Sequence, residues 1–198
     1  VRARSSRGNV YAARNLIDSI PMVSTVWRDE PLLSFLRKHL GEDFGLVRAL
    51  FFDKPPDRTW NLPWHKDTSI AVKDNSIKST SFSRPTTKAG VPHLIACDEV
   101  LKRMLTLRIH LDEVDDENGP LRVIPGSHRE RLDSDQIREQ IESGPKFDCV
   151  VAAGDVLAMR PTLLHASHKA ESPSHRRIVH LEFGPADGLP EGLEWEAA

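Results

Sequence analysis

Residues 154–183 read Gly154-Asp-Val-Leu-Ala-Met-Arg-Pro-Thr-Leu-Leu-His165-Ala-Ser-His-Lys-Ala-Glu-Ser-Pro-Ser-His-Arg176-Arg-Ile-Val-His-Leu-Glu-Phe183. Two runs in this stretch, residues 156–160 and 176–183, read as strands around a polar connection. In the second, Val179, Leu181 and Phe183 hold odd positions while Arg176, His180 and Glu182 hold even ones. Side chains alternate across a strand, so this strand has one dry and one wet face. Thr106-Leu-Arg-Ile-His-Leu-Asp112 repeats the pattern, again with its polar residues on even positions. The dry faces are expected to pack on N-terminal helices. Solvent is the plain partner for the wet faces, and alternation alone decides no further.

Working outward, residues 46–52, 65–72, 104–111, 121–124 and 149–152 read as further strands. Lys54-Pro-Pro-Asp57 and Pro125-Gly126 supply the breaks. Helical spacing marks residues 10–20 and 31–40. In the second, Leu32, Leu33, Leu36 and Leu40 share a side and Gly41 caps the end. Residues 134–143 read as a short helix started by Ser134 or Asp133. Residues 74–96 are rich in Ser, Thr, Lys and Pro without a period. They read as a long loop, with residues 74–92 expected to serve as a lid. Helices followed by many short strands with Gly/Pro turns predict a mainly β, α+β protein built as a sandwich or barrel.

The 198 residues suit a single domain, 1–198, with a sizeable core. A net charge of −2 points to neither nucleic acid nor an anionic membrane surface as partner. No apolar run approaches a membrane span, and no secretory pattern is expected. Cys97 and Cys149 form no zinc-like pair and read as reduced thiols, which fits a cytoplasmic location.

The chemistry-bearing residues are His165 and Arg176, eleven positions apart, and Trp64-His65-Lys66-Asp67 upstream. Residues two apart on a strand point the same way, so His65 and Asp67 can grip one metal from a single strand, with a distal histidine as third ligand. Two histidines and one carboxylate leave open positions suited to iron(II), and an arginine can hold an organic acid beside them. The spacing recurs, however, in His110-Leu-Asp112, His128-Arg-Glu130 and His180-Leu-Glu182. His65 and Asp67 are favoured because ample chain flanks them. His110 and Asp112 stay a rival, since His165 and Arg176 lie downstream of them too.

Six segments in order then carry a resemblance. They are Phe52-Asp-Lys-Pro-Pro56, Trp64-His-Lys-Asp67, Glu117-Asn-Gly-Pro-Leu-Arg-Val-Ile-Pro-Gly-Ser-His128, Gly154-Asp-Val156, Leu163-Leu-His-Ala-Ser167 and His175-Arg-Arg177. With them the chain resembles the phytanoyl-CoA dioxygenase family of iron(II)/2-oxoglutarate oxygenases from about residue 46 to 183. The resemblance implies a double-stranded β-helix, a cupin-like jelly roll, with flanking N-terminal helices. It implies His65, Asp67 and His165 as the catalytic metal ligands, and Arg176 rather than Arg177 as the anchor of 2-oxoglutarate. Ser167 falls where the family places a serine. Arg108 falls on a pocket-lining position where a relative carries tryptophan, so it is expected to touch 2-oxoglutarate, the substrate or a nearby acid.

The implied cofactors are Fe(II), 2-oxoglutarate and O2, and the implied reaction is hydroxylation of a small molecule with release of succinate and CO2. Halogenating relatives replace the carboxylate ligand with a small residue; Asp67 keeps it. A cupin-like metal protein without oxygenase activity would lack the acid anchor, and a lectin-like jelly roll would need no triad. Lys78, Arg84, Lys88 and His93 favour an anionic substrate.

Overall fold

The computed structural model describes residues 2–6, 9–172 and 174–197. In chain order its elements are β1 (Arg2–Ser6), β2 (Asn9–Arg14), α1 (Leu16–Ser19), α2 (Leu32–Leu40), β3 (Phe44–Asp53), β4 (Leu62–His65), β5 (Ser69–Ala71), β6 (Ser83–Lys88) and β7 (Val91–Ile95). They continue with α3 (Asp98–Lys102), β8 (Leu105–His110), β9 (Leu121–Val123), α4 (Ser134–Ser143), β10 (Phe147–Cys149), β11 (Val156–Met159), β12 (His165–Ser167) and β13 (Arg177–Pro185). A major antiparallel sheet runs β1-β2-β3-β13-β8-β11, a minor sheet β10-β9-β12-β4, and a small third sheet β5-β7-β6. The major and minor sheets enclose a polar cavity between them, the jelly-roll arrangement.

Strand β13 sits at the centre because both of its edges are paired, with β3 on one side and β8 on the other. Its dry face behaves as the alternation predicts. Leu181 and Phe183, with Leu105, Leu107 and Ala49 from the neighbouring strands, pack against Leu16, Val23, Trp27 and Leu36 of the N-terminal segment. Trp27 meets the Phe183 ring edge-on, centroids 5.3 Å apart. Each such large apolar side chain contributes about 1.5–3 kcal/mol by leaving water. The wet face departs from the solvent reading. Thr106, Arg108, His110, Arg176, His180 and Glu182 are all buried, and most of them turn toward the space between the sheets.

Four expectations from the sequence need correction. Residues 10–20 are not one helix. Asn9–Arg14 pairs as a strand on β3, Asn15 turns the chain through a left-handed conformation, and only Leu16–Ser19 is α-helical. The open edge of β3 overrides the local helical spacing. Residues 65–72 are broken at 66–68, where the Asp67 N–H donates to the Pro161 carbonyl, so that β4 joins the minor sheet and β5 the third.

Residues 74–96 are not a featureless loop. β6 and β7 form a hairpin across Ala89-Gly90, both with positive φ (52° and 78°), as two-residue hairpin turns require. Leu94 and Ala96 enter a core cluster with Ile70, Val72 and Trp195, so the segment is part of the scaffold. Finally, the strand expected at residues 149–152 ends at Cys149; Val151 keeps only an isolated bridge to Val114. The helix at Ser134–Ser143 is as expected, opened by an Asp133 capping box with Gln136.

Candidate active site

β4 and β12 are neighbours in the minor sheet, in a register that sets His65 opposite His165. The bend after β4 carries Asp67 back toward both. His65 Nε2 lies 3.6 Å from Asp67 Oδ1, and His165 Nε2 lies 3.5 Å from Asp67 Oδ2. Among the described residues these three form the group whose donor atoms all fall within 4.8 Å of one another. Adjacent ligands each about 2.1 Å from one ion stand about 3 Å apart, so the spacing is about half an ångström wider than a filled site.

The tautomers suit a metal as well. His65 Nδ1 lies 2.7 Å from the Pro63 carbonyl and His165 Nδ1 2.9 Å from that of Leu163. Each Nδ1–H donates to a backbone oxygen two residues back, which leaves both Nε2 lone pairs aimed at the shared space. Burial drives the His165 pKa down to about 4 despite the pull of Asp67, so its imidazole is neutral and able to coordinate near pH 7. Two imidazoles with Nε2 turned inward and one carboxylate on one face fit iron(II).

The triad lies in a cavity of about 360 Å³ that also takes in Lys54, Arg108, Ser167 and Arg176. Arg176 is the last residue before β13, held beside the end of β3 by the Lys54 N–H, which donates to its carbonyl. Its guanidinium is buried and donates to the Gly119 carbonyl, while its Nε has no partner. Gly119 is required there. Its φ is +73°, and a Cβ would stand 2.6 Å from the His168 carbonyl oxygen. The Asn118-Gly119-Pro120 motif thus shapes the wall against which Arg176 rests.

Lys54 Nζ donates to Ser167 Oγ and to the His168 carbonyl, 2.9 Å each. Burial, then the charges of Arg176 and Arg108, lower the Lys54 pKa to about 7; burial and Arg108 lower Arg176 to about 9. No acidic side chain forms a salt bridge with any of these three cations among the described residues. Asp67 pulls on Arg108 from a distance, but three desolvated cations without a salt-bridged partner among the described residues are suited to receive an anion.

The major sheet supplies a second polar row. Register sets Arg48 of β3 opposite Glu182 of β13, and His180 opposite Arg108 of β8. Arg48 Nη2 pairs with Glu182, His180 Nε2 donates to Glu182 over 3.0 Å, and Arg108 Nη1 reaches His180 Nδ1 at 3.2 Å. Arg48 Nη1 also reaches His93 Nε2 at 3.2 Å. Burial alone would raise the Glu182 pKa; the Arg48 charge and the His180 hydrogen bond overcome it and hold it near 2.

Every site residue expected from the sequence lies in this one cavity: His65, Asp67, His165, Ser167, Arg108 and Arg176. The rival pair does not. Asp112 is engaged by Arg177, whose Nη2 and Nε donate to its carboxylate at 2.6 and 2.9 Å, and neither His110 nor Asp112 lines the cavity. Arg176 and Arg177 therefore face opposite ways, as neighbours at a strand should.

Sequence reasoning missed Lys54, Arg48 and the engagement of His180 and Glu182. Lys54 was within reach, since it stands in the Phe52-Asp-Lys-Pro-Pro56 segment. Arg48 had no local signal, because only its pairing with β13 brings it to the cavity. Cys97 and Cys149 are both free, and no helix among the described residues is long and apolar enough to cross a membrane.

A jelly roll that gathers two histidines and an aspartate in its interior, beside a wall of cations, belongs to the cupin-like class of β-sandwiches. The chain belongs to the phytanoyl-CoA dioxygenase family, whose sequence profile matches residues 7–178. It is 23% identical over 186 residues to a probable alpha-ketoglutarate-dependent hypophosphite dioxygenase of Stutzerimonas stutzeri, covering 85% of this chain and 54% of that protein. To the peroxisomal phytanoyl-CoA dioxygenase of Mus musculus it is 21% identical over 173 residues, covering 79% and 44%. The chain thus spans about half the length of these curated relatives. Its fold is similar to that of EctD from S. alaskensis solved with bound Fe, with a TM-score of 0.69, 19% identity and coverage of 92% and 60%.

Proposed function

We propose that this protein is an iron(II)- and 2-oxoglutarate-dependent dioxygenase that hydroxylates a small organic molecule. The observation that carries the proposal is the convergence, in one cavity, of a two-histidine, one-carboxylate face and a buried cationic wall that no acidic side chain salt-bridges among the described residues. The relatives support it: one is named for alpha-ketoglutarate dependence, and EctD has been solved with 2-oxoglutarate and 5-hydroxyectoine.

On this reading His65, Asp67 and His165 hold the iron, and Asp67 keeps the site a hydroxylase rather than leaving a gap for halide. Iron(II) held there would supply the activation of O2, coupled to oxidative decarboxylation of 2-oxoglutarate to succinate and CO2. The chain's own residues bind and orient. Arg176 offers its planar fork to the distal carboxylate of 2-oxoglutarate, and the Lys54 ammonium and Ser167 hydroxyl complete that seat. Arg108, fixed by His180, adds charge between this seat and the metal.

The experiment is succinate release from 2-oxoglutarate by the purified protein under air. Turnover that requires Fe(II) and disappears in Asp67→Ala is the expected result. A protein that binds metal yet leaves 2-oxoglutarate unchanged at every iron concentration would instead be a metal-binding jelly roll without oxygenase activity.

A further inference from the structure

The cations of the cavity fall into two groups at opposite ends of the same strands. Lys54 and Arg176 meet where β3 ends and β13 begins. Arg48 stands six residues back along β3, opposite Glu182, six residues on from Arg176. At about 3.3 Å per residue the two ends are about 20 Å apart along the strands, with the His180–Arg108 row between them.

The hairpin adds to the far end. Lys88, the last residue of β6, reaches the same cavity and donates from Nζ to Ser69 Oγ at 2.8 Å. Arg14 at the end of β2 lines it too. The electrostatics follow this division. Lys54 is perturbed by Arg176 and Arg108, whereas Lys88 is perturbed, after burial, by Arg48 and Arg14. Lys88 also senses the carboxylates of Asp67 and Glu182, so the triad lies within range of this second group.

The cosubstrate seat of the proposed oxygenase accounts for the first group; in the second, Arg48 is salt-bridged to Glu182 while Lys88 makes no salt bridge among the described residues. At the second end, the carboxylate of Glu182 is taken up by Arg48 and His180, and Asp67 belongs to the triad. Arg48 is clamped by Glu182 and His93, and its buried Nε has no partner. Lys88 spends one of its three N–H donors on Ser69 and has no carboxylate within ion-pair distance among the described residues. A pre-oriented guanidinium and an ammonium that share a half-buried space make an oxyanion seat.

We propose that Arg48 and Lys88 form a second anion seat, across the metal face from the 2-oxoglutarate end, that binds an oxyanion group of the substrate. The substrate is then a small acid, a carboxylate or a phosphorus oxyanion, whose charged end is held by the hairpin tip and β3 while its C–H or P–H bond lies toward the triad. Glu182 acts as a positioning residue by fixing Arg48. The inference rests on the oxygenase reading for the role of the seat, but the seat itself is testable without turnover.

The test is a titration of the Fe(II)-loaded protein under argon, saturated with 2-oxoglutarate, with methylphosphonate, acetate and the neutral N-methylacetamide. Wild type should bind one or both anions and not the neutral amide, and the stronger of the two assigns the oxyanion class. Lys88→Met should weaken anion binding by about tenfold or more and 2-oxoglutarate binding much less. Arg176→Ala should do the reverse. Repeating the anion titration without metal or 2-oxoglutarate, in wild type and Lys88→Met, keeps the outcome independent of the oxygenase reading. If 2-oxoglutarate fails to bind, that reading falls while the Lys88 effect still decides the seat. No anion binding by wild type, equal binding of the neutral amide, or equal affinity in Lys88→Met would overturn the proposal.

Discussion

At the residue scale the proposed ligands are distinguished from His93, whose Nδ1 makes the same backbone contact, by what their Nε2 atoms face: His93 Nε2 meets Arg48, whereas theirs meet a carboxylate. His65 and His165 each lean on a backbone carbonyl two residues back, and both present Nε2 to Asp67. Replacing His65, Asp67 or His165 with Ala is expected to abolish iron binding in a direct metal assay, whereas His110→Ala should retain the metal; the opposite pattern would reinstate the His110 pair. The adjacent arginines give a second test. Arg176→Ala should cost about 2–5 kcal/mol of 2-oxoglutarate affinity, the usual loss for a truncated partner in a buried charged contact. Arg177→Ala, which removes the contact with Asp112 at the sheet surface, should change that affinity little.

Lys54 makes the pH dependence specific. In the free protein, burial and the two arginines depress its pKa to about 7. A bound carboxylate favours the ammonium form and raises that pKa. Affinity for 2-oxoglutarate should therefore be full below about pH 7 and fall as pH rises through the free and then the bound value. Calorimetric titration across this window should show the decline in wild type and a flatter, weaker profile in Lys54→Met. A flat wild-type profile would remove Lys54 from the seat.

At the scale of elements, the legible parts are those whose burial follows their alternation. β8 and β13 were readable because their apolar positions meet the N-terminal cluster. The sign of their polar face was not, since nothing in Arg108 or Glu182 alone tells a wet surface from a polar interior; that depends on the facing β4–β12 pair. β2 was misread because edge pairing to β3 outweighed a local helical period. The β6–β7 hairpin was missed because Ala89-Gly90 lacks an Asn-Gly or Asp-Gly signal and β6 is exposed along most of its length. Phe82 and, just past residues 74–92, Leu94 and Ala96 tie the segment to the core, while Lys88 at the hairpin tip lines the cavity.

The loop before β9 carries another prediction. Gly119→Ala forces a side chain into a positive-φ position and toward the His168 carbonyl. It should lower stability by about 1–3 kcal/mol in thermal unfolding and weaken 2-oxoglutarate binding through Arg176. Unaltered melting would mean the loop tolerates a Cβ after all.

At the scale of the whole molecule, a chain of net charge −2 concentrates cations inside its jelly roll and leaves the rest of its surface to balance them. That contrast is invisible in composition and appears only when β3, β6, β8 and β13 are assembled around one cavity. Chain order told which segments belong to the site; strand register told which of them meet.

The central claim is that His65, Asp67 and His165 hold iron(II) with 2-oxoglutarate anchored beside it. Its most direct measurement is an argon-atmosphere titration with Fe(II) and then 2-oxoglutarate, following the visible absorption of the keto-acid chelate. A band is expected that needs both additions, is absent in His165→Ala, and shifts to higher 2-oxoglutarate concentration in Arg176→Ala. A wild-type protein that shows no such band, or a His165→Ala protein that shows it undiminished, would contradict the account.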